Sequence, residues 1–144
     1  MMFFKNRSEK ANIFEKVPLF SNLSRRHREL IASQADEVQA KAGKTLARQG
    51  EQGLEFIIII AGQARVEKSG RIIAHLGVGD YFGEISLIDG KARTATVIAE
   101  TPMTLLVIHK RSFSYLLDKV PGLERKMLLS LCSMLRQAEE SIHD

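Results

Sequence analysis

The sequence predicts a mainly β fold, a jelly-roll-like β-barrel with an N-terminal helical segment and with helices at its C-terminal end. The first observation is the apolar, β-branched run at 56–60, bounded by Gly53 and Gly62, which is typical of a strand buried on both faces. The second is a series of short strand patterns separated by turn residues, at 63–68, 71–76, 94–99 and 104–109. The third is a change to helical spacing after residue 109.

The N-terminal helical segment is expected to span residues 1–35. Within it, Ser24 is a suitable N-cap for a short helix that carries Leu30 and Ile31. The apolar residues 1–4 are followed at once by Lys5, so they are too few for a signal peptide or a membrane span. These four residues could dock on a partner or on a membrane face, although a frayed or self-packed terminus is the commoner outcome.

The barrel is expected to span residues 36–110, and the C-terminal helices residues 111–144. Phe113, Leu116 and Leu117 share one face of the first of these helices, and Pro121 is expected to start a longer one. Apolar residues then recur at alternating steps of three and four, at Leu128, Leu131, Leu135, Ala138 and Ile142. This seam of about two heptads fits dimerisation through the helix, and it fits equally a helix packed on its own barrel.

The whole chain, residues 1–144, is expected to form one domain, because its length is that of a single domain and 44% of it is hydrophobic. The net charge of +4 is modest and the basic residues are spread along the chain, which favours an anionic small ligand over a nucleic-acid polymer. Cys132 is the only cysteine, so no intrachain disulfide can form and a reducing, cytoplasmic location is expected. Its apolar surroundings predict a packed thiol.

The stretch 82–97 places a carboxylate and a guanidinium nine positions apart across a glycine-bearing turn. Gly83 allows the backbone to come close to a ligand, and amides at the start of a short helical turn over 85–89 would point at an anion. Arg93 can grip phosphate oxygens with two charge-assisted hydrogen bonds. Glu84 is an acceptor only when ionised, so its natural partner is a sugar hydroxyl. The pattern therefore predicts a site for a ribose next to a phosphate.

A simpler interpretation of the same residues is available. A Glu and an Arg this close in sequence usually form a surface ion pair worth about 0 to 1 kcal/mol, and single glycines usually only make turns. The complete string, preceded by Gly77, Gly79 and Asp80, favours a ligand site over a set of unrelated turns.

The run Phe-Gly-Glu-Ile-Ser-Leu at 82–87, followed by Arg-Thr-Ala-Thr-Val at 93–97, resembles the phosphate-binding cassette of cyclic nucleotide-binding domains. The resemblance extends from residues 13–20 to the helix after Pro121, and it implies the jelly roll of that family, a double-stranded β-helix. It also implies that Glu84 holds the ribose 2′-hydroxyl and that Arg93 neutralises the cyclic phosphate, with the backbone amides of 83, 85 and 86 completing the cradle. The expected ligand-binding residues are Phe82, Gly83, Glu84, Ile85, Ser86, Arg93, Thr94 and Ala95.

The resemblance implies a sensor module whose ligand is a cyclic nucleotide, cAMP first and cGMP next, without a metal or another cofactor. Thr94 does not decide between them, because a threonine there can contact guanine but also occurs in cAMP-preferring members. Base contacts from the last helix could come from Leu135, Arg136, Ala138 or Glu139, and none of these residues gives a strong adenine signature. In the family the C-terminal helices move as a lid when the ligand binds. Leu87 and Ile88 lie on the same turn as the phosphate-binding amides, so they are the residues expected to shift contacts against these helices. The output is expected to act on an unknown protein effector in trans.

Other classes of function are less well supported. Catabolite-activator regulators also resemble the chain, but the 23 residues after Pro121 leave no room for a helix-turn-helix, so direct DNA binding is not expected. No enzyme is expected, because Ser86 and Thr94 have no base nearby in sequence and the histidines are isolated, at His27, His75, His109 and His143. The alternative is a protein-interaction module with an unoccupied pocket, or with one adapted to another ligand such as a cyclic dinucleotide. The intact Glu84 and Arg93 argue against an empty pocket.

Overall fold

Two four-stranded antiparallel sheets lie at the centre of the molecule, in a computed structural model that describes residues 7–143. The strands are β1 (Asp36–Ala40), β2 (Thr45–Ala47), β3 (Glu55–Ala61), β4 (Ala64–Lys68), β5 (Arg71–Leu76), β6 (Tyr81–Phe82), β7 (Thr96–Ala99) and β8 (Met103–His109). One sheet has the order β1-β8-β3-β6 and the other β2-β7-β4-β5. The jelly-roll-like fold is thus confirmed, although within residues 7–143 no strand ladder joins the two sheets into a closed barrel.

Strand β3 divides the core into two layers. Residues 56–60 are all at most 4% exposed, which confirms a strand buried on both faces. Since side chains alternate along a strand, Phe56, Ile58 and Ile60 face a cluster shared with the helices. Ile57 and Ile59 face a second cluster, formed with residues of the other sheet. Strand β6 pairs with β3 so that Phe82 lies opposite Ile57. This pairing places the start of the 82–97 stretch against β3, the strand that is buried on both faces.

The helices are α1 (Arg7–Ile13), α2 (Arg25–Ser33), α3 (Glu84–Asp89), α4 (Lys110–Lys119) and α5 (Leu123–His143), with a 3-10 turn at Phe14–Lys16. Ser24 is confirmed as the N-cap of α2, since its hydroxyl accepts a hydrogen bond from the His27 amide at 3.2 Å. Lys10 of α1 donates to the carbonyl of Ala35 at 2.7 Å, just beyond the end of α2. The N-terminal helical segment is thereby tied to the start of β1. The apolar residues 1–4 lie outside the described residues.

The C-terminal helices differ from the prediction at one boundary. Helix α4 buries Phe113 and Leu116 as expected. Helix α5 begins at Leu123 and not at Pro121, because Pro121 lies in a turn with Gly122, whose φ of +83° is left-handed and cannot continue a right-handed helix. The predicted strand at 94–99 likewise starts later, at Thr96, because residues 94 and 95 form a bend.

Helix α5 buries side chains in the core only near its start. Leu123 and Met127 are buried in the main core cluster, whereas Leu128, Leu135 and Ile142 are 62%, 60% and 78% exposed. The apolar seam therefore does not pack on the helix's own barrel, and that alternative is wrong. The packed thiol is wrong for the same reason, because the apolar neighbours of Cys132 are largely exposed and so is Cys132 itself.

Candidate functional site

A cavity of about 280 Å³ opens between the β2-β7-β4-β5 sheet, helix α3 and helix α5. Its lining includes all eight residues of the sequence-based prediction, Phe82, Gly83, Glu84, Ile85, Ser86, Arg93, Thr94 and Ala95. The fold therefore brings 82–86 and 93–95 to one place, while their role toward a ligand stays a prediction. The lining residues that the sequence analysis missed are Ala47, Val66, Ile73, Ala74, Leu76, Tyr81, Val97 and Met134. Most of these are apolar side chains whose approach depends on sheet packing.

Gly83 provides the turn from β6 into α3. Its φ is +99°, a left-handed conformation that favours glycine, and a Cβ at this position would overlap the carbonyl oxygen of Glu55 on β3. The helix that follows runs over Glu84–Asp89, which confirms the predicted helical turn. Gly83 thus lets the segment lie directly on β3, and this contact sets the position of Glu84.

Glu84 places a buried carboxyl group at the cavity. The residue is 4% exposed, and burial raises the pKa of its carboxyl group, while a hydrogen bond from its own backbone amide partly opposes the rise. Among the ion pairs of the described chain, none involves Glu84 or Arg93. The interpretation of these two residues as a surface ion pair is therefore wrong. The carboxyl group retains acceptor capacity for a donor inside the cavity.

Arg93 is held by its backbone. Its amide donates to the carbonyl of Glu51 at 2.8 Å, and its own carbonyl accepts from the Gly50 amide at 2.9 Å. Burial lowers the pKa of the Arg93 guanidinium, and Coulombic attraction to Glu55 and then to Glu51 partly offsets this change. The guanidinium remains cationic at any physiological pH, so the cavity contains a positive charge with several N–H donors.

Gly53, which the sequence suggested only as a strand boundary, packs against two residues that line the cavity. A Cβ at Gly53 would lie 2.7 Å from the Ser86 Cβ and 3.3 Å from the Arg93 Cγ. Both distances are shorter than ordinary contacts, so a larger residue here would displace the two halves of the site. The sequence carries no signal for this contact, since residues 53, 86 and 93 meet only in the folded chain.

Tyr81 connects the site to α5. Its hydroxyl forms a hydrogen bond with the hydroxyl of Ser130, and its ring lies 5.2 Å from that of Phe56. Burial raises the pKa of Tyr81, the hydrogen bond to Ser130 lowers it and the charge of Glu84 raises it, with a net rise. The phenol therefore stays protonated and able to donate.

Met134 is the residue of α5 that reaches the cavity. The four residues expected to contact a base do not line it, and each is exposed: Leu135, Arg136, Ala138 and Glu139. The rotation of α5 about its axis is set by the burial of Leu123 and Met127, and this rotation turns Met134 inward. Of the residues of α5, Met134 and not these four lines the cavity, while the residue that contacts a base stays a prediction.

The two residues of α3 expected to shift contacts against the C-terminal helices, Leu87 and Ile88, occupy different environments. Leu87 is 8% exposed and belongs to the core cluster that also contains Leu123 and Met127 of α5. Ile88 is 51% exposed and does not belong to that cluster, so of the two only Leu87 packs with the start of α5.

The described histidines do not form a metal site. His75 lies 3.5 Å from a carboxylate oxygen of Glu100, and His109 lies 3.7 Å from Asp36 and 3.8 Å from Glu55. Across residues 7–143 there is no group of three or more His, Cys, Asp or Glu side chains arranged to hold a metal ion. Over the same residues, no helix has both the length and the apolarity needed to cross a bilayer.

Comparison with known proteins gives a consistent result. Residues 37–120 match the family model described as the cyclic nucleotide-binding domain. The chain is 34% identical, over 97% of its length, to a cAMP-dependent protein kinase regulatory subunit of Schizosaccharomyces pombe. It is also 34% identical, over 82% of its length, to the cGMP-dependent protein kinase egl-4 of Caenorhabditis briggsae. The chain spans only 34% and 17% of the lengths of these two relatives.

Among solved structures, the catabolite activator protein of Thermus thermophilus is similar, with a TM-score of 0.82 and 27% sequence identity. The match covers 88% of this chain and 62% of that one.

Proposed function

The chain belongs to the cyclic nucleotide-binding domain family, and from this we propose that it is a sensor module whose cavity binds a cyclic nucleotide. We favour cAMP as the ligand and rank cGMP second, in line with relatives named as cAMP- and cGMP-dependent kinase proteins. The module has no catalytic role of its own, and a cytoplasmic location stays a prediction. The observation that carries the proposal is a buried carboxyl group, of Glu84, and a guanidinium, of Arg93, that line one cavity and form no ion pair with each other among the described residues.

In this proposal the ligand supplies a partner inside the cavity for each of the two groups. The guanidinium of Arg93 binds the cyclic phosphate through charge-assisted hydrogen bonds, and the carboxylate of Glu84 accepts a hydrogen bond from the ribose 2′-hydroxyl. The apolar remainder of the lining suits the flat surface of a base, and Met134 is the residue of α5 closest to that role. A cavity of about 280 Å³ lies at the lower end of small-molecule sites, which suits one mononucleotide.

The test is calorimetric titration of nucleotide-stripped protein with cAMP and then with cGMP, with Arg93→Ala as the control variant. We expect micromolar or tighter binding, weakened in Arg93→Ala by about 2 to 4 kcal/mol, which is about 30- to 1,000-fold. Circular dichroism establishes that the variant is folded. Unchanged affinity in a folded variant contradicts the role of Arg93. No heat with either nucleotide from folded, empty protein supports the alternative of an interaction module, or of a pocket for another ligand such as a cyclic dinucleotide.

Ligand binding is transmitted through α5 to a protein partner in trans. Two contacts support this route, the hydrogen bond from Tyr81 to Ser130 and the packing of Leu87 in the cluster that holds the start of α5. A ligand shifts α5 only if it binds its two positions with different affinities. Hydrogen exchange of α5 amides with and without cAMP tests the route, and identical exchange in both states contradicts it.

The exposed seam of α5 also supports a homodimer. Leu128, Leu135 and Ile142 are each more than half exposed, and they recur with the spacing of a two-helix seam. Most of the stability of a helix in a protein comes from packing of its apolar face, so a second copy would both cover the seam and stabilise the helix. The oligomeric state, measured by sedimentation, tests this part of the proposal.

A further inference from the structure

Arg93 lies between two cavities, and only one of them is the proposed nucleotide site. A second cavity, of about 310 Å³, shares Arg93 as a lining residue and opens on its other side. Two acidic side chains line this second cavity, those of Glu51 and Glu55. The guanidinium that would bind a phosphate on one side thus faces, on the other, a cavity lined by two carboxylates together with Arg48 and His109.

Of the two carboxylates, Glu55 is the better placed to act on Arg93. It is the first residue of β3, and its carbonyl oxygen touches the segment at Gly83, so its backbone is fixed relative to the site. The Glu55 side chain is 38% exposed and lies 3.8 Å from His109, whereas that of Glu51 is 66% exposed and forms an ion pair with Arg48, which is always charged, at 3.4 Å. Exposed carboxylates are screened by water and salt, so the influence of Glu51 is weaker.

The electrostatics of the free protein agree with this ranking. Burial lowers the pKa of Arg93, and the carboxylate of Glu55 opposes that effect more than the carboxylate of Glu51 does. No carboxylate forms a direct ion pair with Arg93 within the described chain. The attraction therefore acts at longer range, and it can be replaced by a closer anion.

We propose that Glu55 is a positioning residue that acts through Arg93, as its counter-charge in the unliganded protein and as an internal competitor of the ligand phosphate. The inference rests on the proposed function, because it concerns the affinity of the same site. In the free protein, the Glu55 carboxylate holds the guanidinium toward the second cavity. When a phosphate enters, the guanidinium turns to it, and the phosphate is also repelled by the remaining negative charge of Glu55.

Competition for Arg93 and repulsion of the phosphate both weaken ligand binding. Removing the charge of Glu55 frees Arg93 for the ligand and removes a repulsion on the phosphate, so binding becomes tighter. We expect Glu55→Gln to tighten cAMP binding by about 3- to 10-fold at low salt, a modest gain because the attraction is not a direct ion pair. The gain should shrink at about 1 M salt, where charges are screened within about 3 Å. Glu51→Gln makes the same change of charge at the exposed position and is the matched control, expected to stay within about twofold of the wild type.

The experiment has two arms. In the first, the side-chain Nε–Hε signal of Arg93 is followed by NMR in ligand-free protein and is assigned by its loss in Arg93→Lys. Glu55→Gln should shift this signal and speed its exchange with water, and Glu51→Gln should leave it nearly unchanged. In the second arm, both variants and the wild type are titrated with cAMP at low and high salt.

The outcomes separate this inference from the proposed function. Weaker binding by Glu55→Gln, an effect equal to that of Glu51→Gln, or a gain that is insensitive to salt overturns the inference. A wild type that binds no nucleotide overturns the proposed function, and the first arm then still decides whether Glu55 holds Arg93. An unchanged Arg93 signal in Glu55→Gln overturns the inference without any ligand.

Discussion

Replacing Glu84 by glutamine should make the free protein more stable at neutral pH while it weakens ribonucleotide binding. The Glu84 carboxyl group is buried, and it accepts a hydrogen bond from its own backbone amide. Burial raises its pKa in the folded state, so the unfolded chain gives up this proton more readily. The stability of the wild type therefore falls as pH rises through the raised folded pKa, and glutamine has no such titration. Each unit of the shift corresponds to about 1.4 kcal/mol.

The binding effect of the same substitution depends on the ribose. Glutamine keeps the shape of Glu84 and an acceptor oxygen, but it replaces a charge-assisted hydrogen bond to the 2′-hydroxyl by a neutral one. A loss of about 1 to 2 kcal/mol, or about 5- to 30-fold, is expected for cAMP. A 2′-deoxy cyclic nucleotide has no hydroxyl at this position, so its affinity should barely change.

Two assays measure these effects. Urea unfolding of the free wild type and of Glu84→Gln between pH 4.5 and pH 8 gives the difference in stability, which should grow in favour of the variant as pH rises. Calorimetry with cAMP and with 2′-deoxy-cAMP gives the difference in binding. A stability difference that does not change with pH would show that the carboxyl group is solvated in the folded protein. Equal losses for the two nucleotides would show that Glu84 does not contact the 2′-hydroxyl.

Three further substitutions test other parts of the site. Gly53→Ala should weaken cAMP binding about tenfold, because its Cβ would push Ser86 out of place, and calorimetry showing wild-type affinity would contradict the tight packing seen here. Tyr81→Phe removes the hydrogen bond to Ser130, so amide exchange in α5 should speed up by about 2- to 10-fold, and unchanged exchange would mean that the bond does not hold the helix. Leu135→Lys should convert a dimer to a monomer in sedimentation, and a wild type that is monomeric at high concentration would refute the dimer itself.

The parts of the fold that were predictable have a local signal. The run at 56–60 is apolar at every position, so it could only be a strand or helix buried on all sides, and flanking glycines with β-branched residues favour the strand. The glycine, carboxylate and guanidinium of the 82–97 stretch lie close together in sequence, so the sequence alone predicts that they form one site. Strand β1, with the sequence Asp-Glu-Val-Gln-Ala, was not predicted individually because it is half-exposed and mostly polar.

The parts that were missed depend on contacts between distant segments. Helical spacing in α5 is the same whether Met134 or Leu135 faces the cavity, and only the burial of Leu123 and Met127 selects between them. Cys132 has apolar neighbours in sequence, but it is exposed because it lies on a different face of α5 from Leu123, Met127 and Met134, which face the body of the protein. Periodicity shows that a helix has an apolar face, and tertiary packing decides what covers it.

Glu84 and Arg93, the two residues proposed to bind the ligand, are positioned by different parts of the chain, and this suggests how ligand binding could change the position of α5. Glu84 follows Gly83, which lies against the carbonyl oxygen of Glu55 on β3. The backbone of Arg93, in contrast, is hydrogen-bonded to Gly50 and Glu51 in the loop that precedes β3. Helix α3 lies between these supports and carries Leu87 into the cluster at the base of α5. A nucleotide that bridges both groups would fix α3 at its start and fix the chain that follows it. If the proposed function is correct, its effect on α5 can pass through Leu87, through Tyr81 or through direct contact with Met134, since these residues link the site to that helix.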